Sequence, residues 1–286
     1  MRYLFEPGLF SSSPALHALF LSAVVAAVSA VVGVYVILRS NSFSGHALTD
    51  VATTGGAGAA FVGFAPLVGF IGGALAGAGA IEVVGRDNAQ HRDTATGLVL
   101  GAATGLSALF LYLTATNSTT TGVTQQVLFG SIFSVSTATI PVAALLAILI
   151  VGVMGLIARP LTLASLSPDI ARAHGVPSRR LGVIFLVCTS VSVGLSAITL
   201  GSVLSTALII GPAATALRLS KNIWRATLAS VAIGIGACWA GIVIAYDSYY
   251  WHRSSQELPV SCCVVAVIVA FYGASGALRR LRSRHV

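Results

Sequence analysis

Long apolar segments recur along the whole chain and constrain its fold more strongly than any motif. A helix needs about 20 apolar residues to cross the hydrocarbon core of a bilayer. About nine segments meet or approach this length, and the first contains no Asp, Glu, Lys or Arg. They are residues 15–38, 46–64, 65–84, 94–113, 137–157, 181–200, 201–217, 225–246 and 260–278. The pattern predicts an all-α, polytopic membrane protein in which residues 1–286 form a single transmembrane domain.

The composition supports this interpretation and excludes a nucleic-acid partner. Charged residues make up only 8% of the chain, whereas a soluble domain carries about 25%. Lys and Arg number 16 against 8 Asp and Glu, but these basic residues form short clusters between the apolar segments. That arrangement is typical of a membrane protein whose positive loops set its orientation. We therefore expect a multi-pass protein of the plasma (inner) membrane.

The basic residues also predict which way the chain is oriented. All Lys and Arg residues except Arg2 and Arg253 fall on one side of the predicted spans, in alternate loops or in the C-terminal tail. Cytoplasmic loops carry an excess of Lys and Arg. The N-terminus is therefore predicted outside and the C-terminus in the cytoplasm, which requires an odd number of spans.

Three local features refine the outline. Residues 127–132 are apolar but too short to cross, so we expect them at the interface or in a re-entrant turn. Gly211 and Pro212 interrupt the seventh segment, where a kinked or broken helix is expected. The third segment is rich in small residues that permit close helix packing, namely Gly69, Gly72, Gly73, Gly77 and Gly79.

Two common motifs of enzymatic chemistry are absent from the sequence. It contains neither a G-x-x-x-x-G-K-[ST] phosphate-binding loop nor an H-E-x-x-H metalloprotease motif. Residues 273–276 resemble the serine motif of rhomboid-type proteases. However, Ser275 lies near the end of the last segment, and the only histidine after it in the sequence is His285. We interpret that run as small residues for helix packing. The chain is therefore expected to be neither an enzyme nor the carrier of a resident cofactor.

The second segment is the polar one. It opens with His46 and Asp50, which are four residues apart and so share one face of a helix. An imidazole and a carboxylate suit zinc, manganese or iron(II). Ionisable side chains inside a membrane are costly and mark a solute path. The alternatives are that the two side chains pair only with each other, or that they cap a helix.

The loop at 159–180 contains a second candidate element. Ser167 is a suitable helix cap, Pro168 fits the first turn, and Gly175 fits the end of a short helix. Asp169 would then lie in the first turn, where its charge complements the helix dipole. The pattern predicts a short cytoplasmic helix that docks a soluble partner, or else an ordinary capped loop helix.

Three stretches of the sequence resemble one known family, the membrane permeases of ABC importers for manganese, zinc and iron. They lie at the start of the second segment, in the loop at 159–180 and in the seventh segment. They read Gly45-His46-Ala47-Leu48-Thr49-Asp50-Val51, Ser167-Pro168-Asp169-Ile170-Ala171-Arg172-Ala173-His174-Gly175-Val176 and Gly201-Ser202-Val203-Leu204-Ser205-Thr206-Ala207-Leu208-Ile209-Ile210-Gly211-Pro212-Ala213-Ala214-Thr215-Ala216.

The resemblance implies a permease domain that moves divalent manganese, zinc or iron across the membrane by alternating access. In the family the acidic residue precedes the histidine; here His46 comes first and Asp50 second. The pair is exchanged but still projects from one helical face, which supports both residues as metal ligands. The residues expected to couple transport to an ATPase are Ser167, Pro168, Asp169, Ala171, Arg172 and Gly175.

The resemblance also implies three partners. They are a cytoplasmic ATPase subunit that uses ATP, an extracytoplasmic metal-binding protein, and a second permease copy in a homodimer. Two alternatives stay open at this point. The cargo could be a metal chelate or another small solute, or the chain could be a secondary transporter driven by an ion gradient.

Overall fold

The structure is a computed structural model that describes residues 12–84, 89–117, 127–130, 132–133, 139–251 and 258–283. All regular secondary structure in these residues is helical. The helices are α1 (Ser13–Leu38), α2 (Ser42–Val62), α3 (Pro66–Val84), α4 (Ala89–Asn117), α5 (Thr139–Leu166), α6 (Pro168–Ala173), α7 (Ser178–Leu200), α8 (Ser202–Leu219), α9 (Ile223–Trp251) and α10 (Val260–Ser283). A single helical turn lies at 127–129.

The predicted all-α membrane architecture is confirmed. Within the described residues, eight helices are long and apolar enough to cross a membrane. The remaining long helix in that part of the chain is α2, with 21 residues, which corresponds to the polar second segment. Helix α5 extends beyond its predicted end, through Pro160 to Leu166. The orientation of the termini stays a prediction, and Arg2 and Arg253 lie outside the described residues.

Helices α1 and α7 form the centre of the bundle. In the most apolar stretch of each, 67% of the residues are buried, against 17% in α4 and 22% in α5. Small polar residues line their contact, where Ser29 Oγ lies 2.8 Å from Ser196 Oγ. Such residues let two membrane helices approach closely, and their hydroxyls satisfy each other. Helix α8 packs against α1 and helix α2 against α7, so the central pair positions the candidate site.

Helices α2 and α3 meet backbone to backbone. A Cβ atom added to Gly73 would lie 2.9 Å from the Cα atom of Gly55, which leaves no room for a side chain. The predicted close packing of the third segment is therefore confirmed for one face of α3 and not for the other. The face against α2 carries Gly69, Gly73 and Gly77, whereas Gly72 and Gly79 face open space.

Helix α8 continues through Gly211 and Pro212 to Leu219, so the expectation of a broken helix there is wrong. A proline removes one backbone N–H from the helix. Membrane helices tolerate this loss where neighbouring helices enclose the site. Pro212 is buried, and Gly211 lies against Ile268 of α10.

The helical turn at 127–129 does not cross the bundle. It packs against the junction of α7 and α8, where Ser261 Oγ lies 2.6 Å from the carbonyl oxygen of Phe129 and 3.0 Å from that of Leu200. A hydroxyl at the start of α10 thus joins two other segments of the chain. The neighbouring residues 118–126 lie outside the described part of the structure.

Candidate metal site on helix α2

Helix α2 carries both predicted ligands. It begins at Ser42 and ends at Val62, before a left-handed glycine, Gly63, with φ 82°. His46 and Asp50 therefore lie inside the helix and about one turn apart. Neither residue caps the helix, so that alternative is wrong.

His46 is exposed and lies beside α8. Its Nδ1 atom is 3.2 Å from Oγ1 of Thr206. Thr206 in turn donates a hydrogen bond to Oγ1 of Thr49, at 3.3 Å, and Thr49 is buried. Among the described residues, none forms a hydrogen bond with Nε2 of His46. That nitrogen is therefore accessible to a metal ion.

Asp50 is half-buried and lies beside α4. The hydroxyl of Thr104 is 3.2 Å from Oδ2 of Asp50 and 2.9 Å from the carbonyl oxygen of Leu100 in its own helix. One turn further along α2, Thr54 lies 2.7 Å from the carbonyl oxygen of Ala103. These contacts hold α2 against α4 and keep the carboxylate at the edge of that contact. A carboxylate accepts about four hydrogen bonds, so Asp50 retains capacity for a cation.

The alternative that the two side chains only pair with each other does not describe the structure. Neither side chain takes part in the ion pairs that join Arg172 to Asp169 and Arg179 to Glu82. His46 and Asp50 are both described, and each bonds to a different neighbouring helix. The carboxylate therefore does not neutralise the imidazole within one chain.

One chain supplies too few ligands for a complete site. Among the described residues, no group of three or more His, Cys, Asp or Glu side chains lies close enough to hold a metal ion. Structural and catalytic metal sites use three or four protein ligands. His46 and Asp50 alone are two candidate ligands, fewer than such a site uses.

A short helix, α6, is present where the docking helix was predicted. Pro168 is its first residue, and Arg172 lies 3.6 Å from Asp169 in an exposed ion pair. Ser167 occupies the predicted N-cap position, and its carbonyl oxygen accepts a hydrogen bond from the amide of Ala171 at 3.0 Å, but its side chain makes no capping hydrogen bond. Ala171 is buried and anchors the helix to the bundle, while the charged side chains face outward.

Gly175 ends α6 through backbone geometry. Its φ is 71°, in the region that favours glycine. The amide of Val176 bonds to the carbonyl of Ala171 at 2.9 Å, and that of Gly175 bonds to Arg172 at 3.0 Å. This pair of bonds is the Schellman motif, which satisfies the last carbonyls of a helix. The predicted position of Gly175 at the helix end is confirmed.

A salt bridge connects the region around α6 with the helix that packs on α2. Arg179, at the start of α7, lies 3.6 Å from Glu82 near the end of α3. The Arg179 side chain is largely exposed, so the pair contributes at most about 1 kcal/mol to stability. The salt bridge matters for its position, because it joins the first turn of α7, just after α6, to the end of α3.

Sequence reasoning missed the threonines that contact the ligands. Thr206 lies within the third stretch of the resemblance, in a run of small polar residues that could have identified it. Thr49 lies three residues after His46 and so shares a face with it. Thr104 had no such signal, because it is one small residue in an apolar segment and only tertiary packing places it beside Asp50.

Comparison with known proteins establishes the family. Residues 13–274 match the family described as ABC 3 transport. The chain belongs to the ABC 3 transport family. The predicted resemblance to metal-importing ABC permeases is therefore confirmed, and the chain is a multi-pass permease subunit.

Named relatives agree with this assignment. The chain is 28% identical over 269 residues to the manganese transport system membrane protein MntC of Listeria monocytogenes, covering 94% of this chain and 93% of that protein. It is 27% identical to the chelated iron transport system membrane protein YfeC of Yersinia pestis, covering 100% of this chain and 96% of that protein.

A solved structure shows the same fold. It is PsaBC from Streptococcus pneumoniae in complex with Fab, with a TM-score of 0.80 and 22% sequence identity. The match covers 94% of this chain and 92% of that chain. The helical arrangement is thus that of a solved polytopic membrane protein.

Proposed function

We propose that this chain is the permease of an ATP-driven importer for a divalent metal ion, with His46 and Asp50 as its metal ligands. The observation that carries the proposal is the pair itself, which projects from one face of a helix inside a membrane domain. Nitrogen and carboxylate oxygen ligands suit manganese, zinc and iron(II). The family and the names of its manganese and iron relatives support that cargo class.

A second copy of the chain completes the site in this proposal. In a two-fold symmetric dimer, the same surface of each subunit meets its counterpart. Two His46 and two Asp50 side chains would then surround one axis, which gives enough ligands for a four-coordinate site. Such an arrangement also removes these polar side chains from lipid, where they would be costly.

The proposed partners act at opposite ends of the path. A cytoplasmic ATPase would bind α6 through Asp169, Arg172 and the exposed surface around them, and ATP would be hydrolysed there. An extracytoplasmic binding protein would deliver the metal, with the N-terminus outside and the C-terminus in the cytoplasm. The contact between Arg179 and Glu82 provides a route by which movement near α6 could reach α3 and then α2.

The proposal is tested by metal uptake in liposomes that contain the permease with its ATPase and binding protein. His46→Ala and Asp50→Ala should each reduce Mn²⁺ uptake by more than about tenfold, because loss of even a supporting group costs 10- to 100-fold in metal affinity. Thr189→Val is a matched control, since the Thr189 hydroxyl bonds to the Phe185 carbonyl of its own helix. Normal uptake by both ligand variants would contradict the site assignment.

A chelated metal is the second candidate cargo, favoured by the similarity to the chelated iron protein of Yersinia pestis. Uptake of free Mn²⁺ and of an iron chelate should be measured in the same liposomes. If only chelate uptake occurs, and it survives loss of His46 and Asp50, the cargo is a chelate and the two residues are not ligands.

A further inference from the structure

Three side chains form a connected series between α2 and α8. Thr206 of α8 lies between Thr49 and His46, which are both on α2. The hydroxyl of Thr49 lies 3.2 Å from the carbonyl oxygen of Gly45, to which it donates. The hydroxyl of Thr206 donates to Thr49 at 3.3 Å, and Nδ1 of His46 lies 3.2 Å from the same Thr206 oxygen. Each hydroxyl has one proton to donate and two lone pairs to accept.

The proton count links the tautomer of His46 to the bond between the two threonines. Thr49 gives its proton to the Gly45 carbonyl, so towards Thr206 it is an acceptor. When Thr206 gives its only proton to Thr49, it has none left for His46. In that arrangement its contact with Nδ1 is a hydrogen bond only if Nδ1 carries a hydrogen. In neutral histidine one ring nitrogen is a donor and the other an acceptor, so Nε2 keeps the free lone pair.

The position of the Thr206 hydroxyl is unlike that of another threonine on α8. Thr215 donates to the carbonyl of Gly211 in its own helix, at 2.8 Å. Thr206 instead points across to α2, where its hydroxyl meets both Thr49 and His46. The hydroxyl of Thr206 therefore forms a contact between α8 and α2.

We propose that Thr206, oriented by Thr49, is a positioning residue that holds His46 in the tautomer protonated at Nδ1 and presents Nε2 to the transported metal. This inference rests on the proposed metal role of His46. Metal-binding histidines usually donate their second ring N–H to an oxygen, which fixes both the tautomer and the ring orientation. In this chain, a threonine hydroxyl from α8 supplies that oxygen.

The first test measures Mn²⁺ uptake by the complete transporter in liposomes, with KM and maximal rate determined separately. Thr206→Val keeps the shape of the side chain and removes the hydroxyl, so KM should rise by about 10- to 100-fold with a smaller change in maximal rate. Thr206→Ser should restore the KM. Thr215→Val on the same helix should leave it unchanged.

The second test observes the tautomer directly. Nitrogen-15 NMR of histidine-labelled permease in lipid distinguishes a protonated from an unprotonated ring nitrogen, and His46→Gln identifies the signals of His46. The wild-type protein should show the Nδ1–H form, and Thr206→Val should shift the population towards Nε2–H. Thr49→Val should produce a mixture, because the proton of Thr206 then becomes available to His46.

The outcomes separate this inference from the proposed function. If His46→Ala loses uptake but Thr206→Val changes neither KM nor the tautomer, the inference fails and the metal site stands. A higher KM that Thr206→Ser does not restore, or that comes without a change of tautomer, would show a packing effect and would also overturn it. If His46→Ala retains normal uptake, the proposed function fails first.

Discussion

Helix α2 places two ionisable side chains at or near its surface, whereas the middle of helix α5 exposes large apolar ones. Helix α5 turns Leu145, Ile148 and Leu156 outward, with exposed fractions of 66%, 71% and 83%. Helix α2 turns His46 outward and leaves Asp50 half-buried. Of the candidate membrane spans in the described residues, α5 has the highest mean hydropathy, whereas α2 is not apolar enough to be a candidate.

The difference indicates what each surface touches. Apolar side chains on the outside of a bundle are stable against lipid, so the outer face of α5 needs no protein partner. A histidine and a carboxylate cannot be left there, because the hydrocarbon core offers them no hydrogen bonds. The outer face of α2 therefore calls for a water-filled path or a second copy of the chain, as the proposed function supplies.

Cross-linking should give the largest effect, because its outcome is nearly all or none. In a chain with its four native cysteines replaced by alanine, Phe43→Cys on α2 should be joined to its counterpart by a short thiol cross-linker in membranes. Leu145→Cys on α5 is the control and should remain a monomer on denaturing gels. Dimers formed through position 145 and not through 43 would mean that α5 is the face between copies.

A charge placed on each face should have the next largest effect. Ile148→Asp on α5 puts a carboxylate into lipid and should cost about 2.5–3.5 kcal/mol, seen as a lower folded yield and lower thermal stability in nanodiscs. Ile148→Leu controls for packing. His46→Asp on α2 should cost about 0.5 kcal/mol, as expected for like charges one turn apart. Equal losses for the two aspartates would abolish the distinction between the faces.

The packing behind α2 gives a third comparison, with its control on the same helix. Gly73→Ala on α3 places a methyl group against the Gly55 backbone of α2 and should cost about 1–3 kcal/mol of stability. Gly72→Ala points into open space and should be neutral or slightly stabilising. Thermal unfolding in nanodiscs measures both. If the two variants are equally stable, α2 is not held rigidly by α3.

The smallest effect concerns α6, which follows the C-terminal end of α5. Gly175→Ala forces a methyl-bearing residue to adopt φ 71°, which costs about 1 kcal/mol and loosens the end of α6. Metal transported per ATP hydrolysed should fall modestly, while His174→Ala, at an ordinary φ of −85°, should not change it. An unchanged ratio in both variants would argue against coupling through this helix.

Much of the fold could be predicted because hydrophobic length is a local property. The apolar run at 15–38 became α1, and the segment at 181–200 became most of α7, with boundaries shifted by a few residues. Pro160 and Pro212 marked the limits of this reasoning. Pro160 was expected to follow a helix and Pro212 to interrupt one, yet each lies inside a helix. At Pro212, which is buried, enclosing neighbours stabilise a helix that would bend or break in water.

The sequence by itself determined that this chain is a helical membrane protein with a polar second helix, and that His46 and Asp50 share one face of it. Those conclusions need only segment length and helical periodicity. Tertiary structure alone decided that His46 meets Thr206 while Asp50 meets Thr104. Contacts between distant segments depend on how helices cross, and the threonines that make them resemble many others in the sequence.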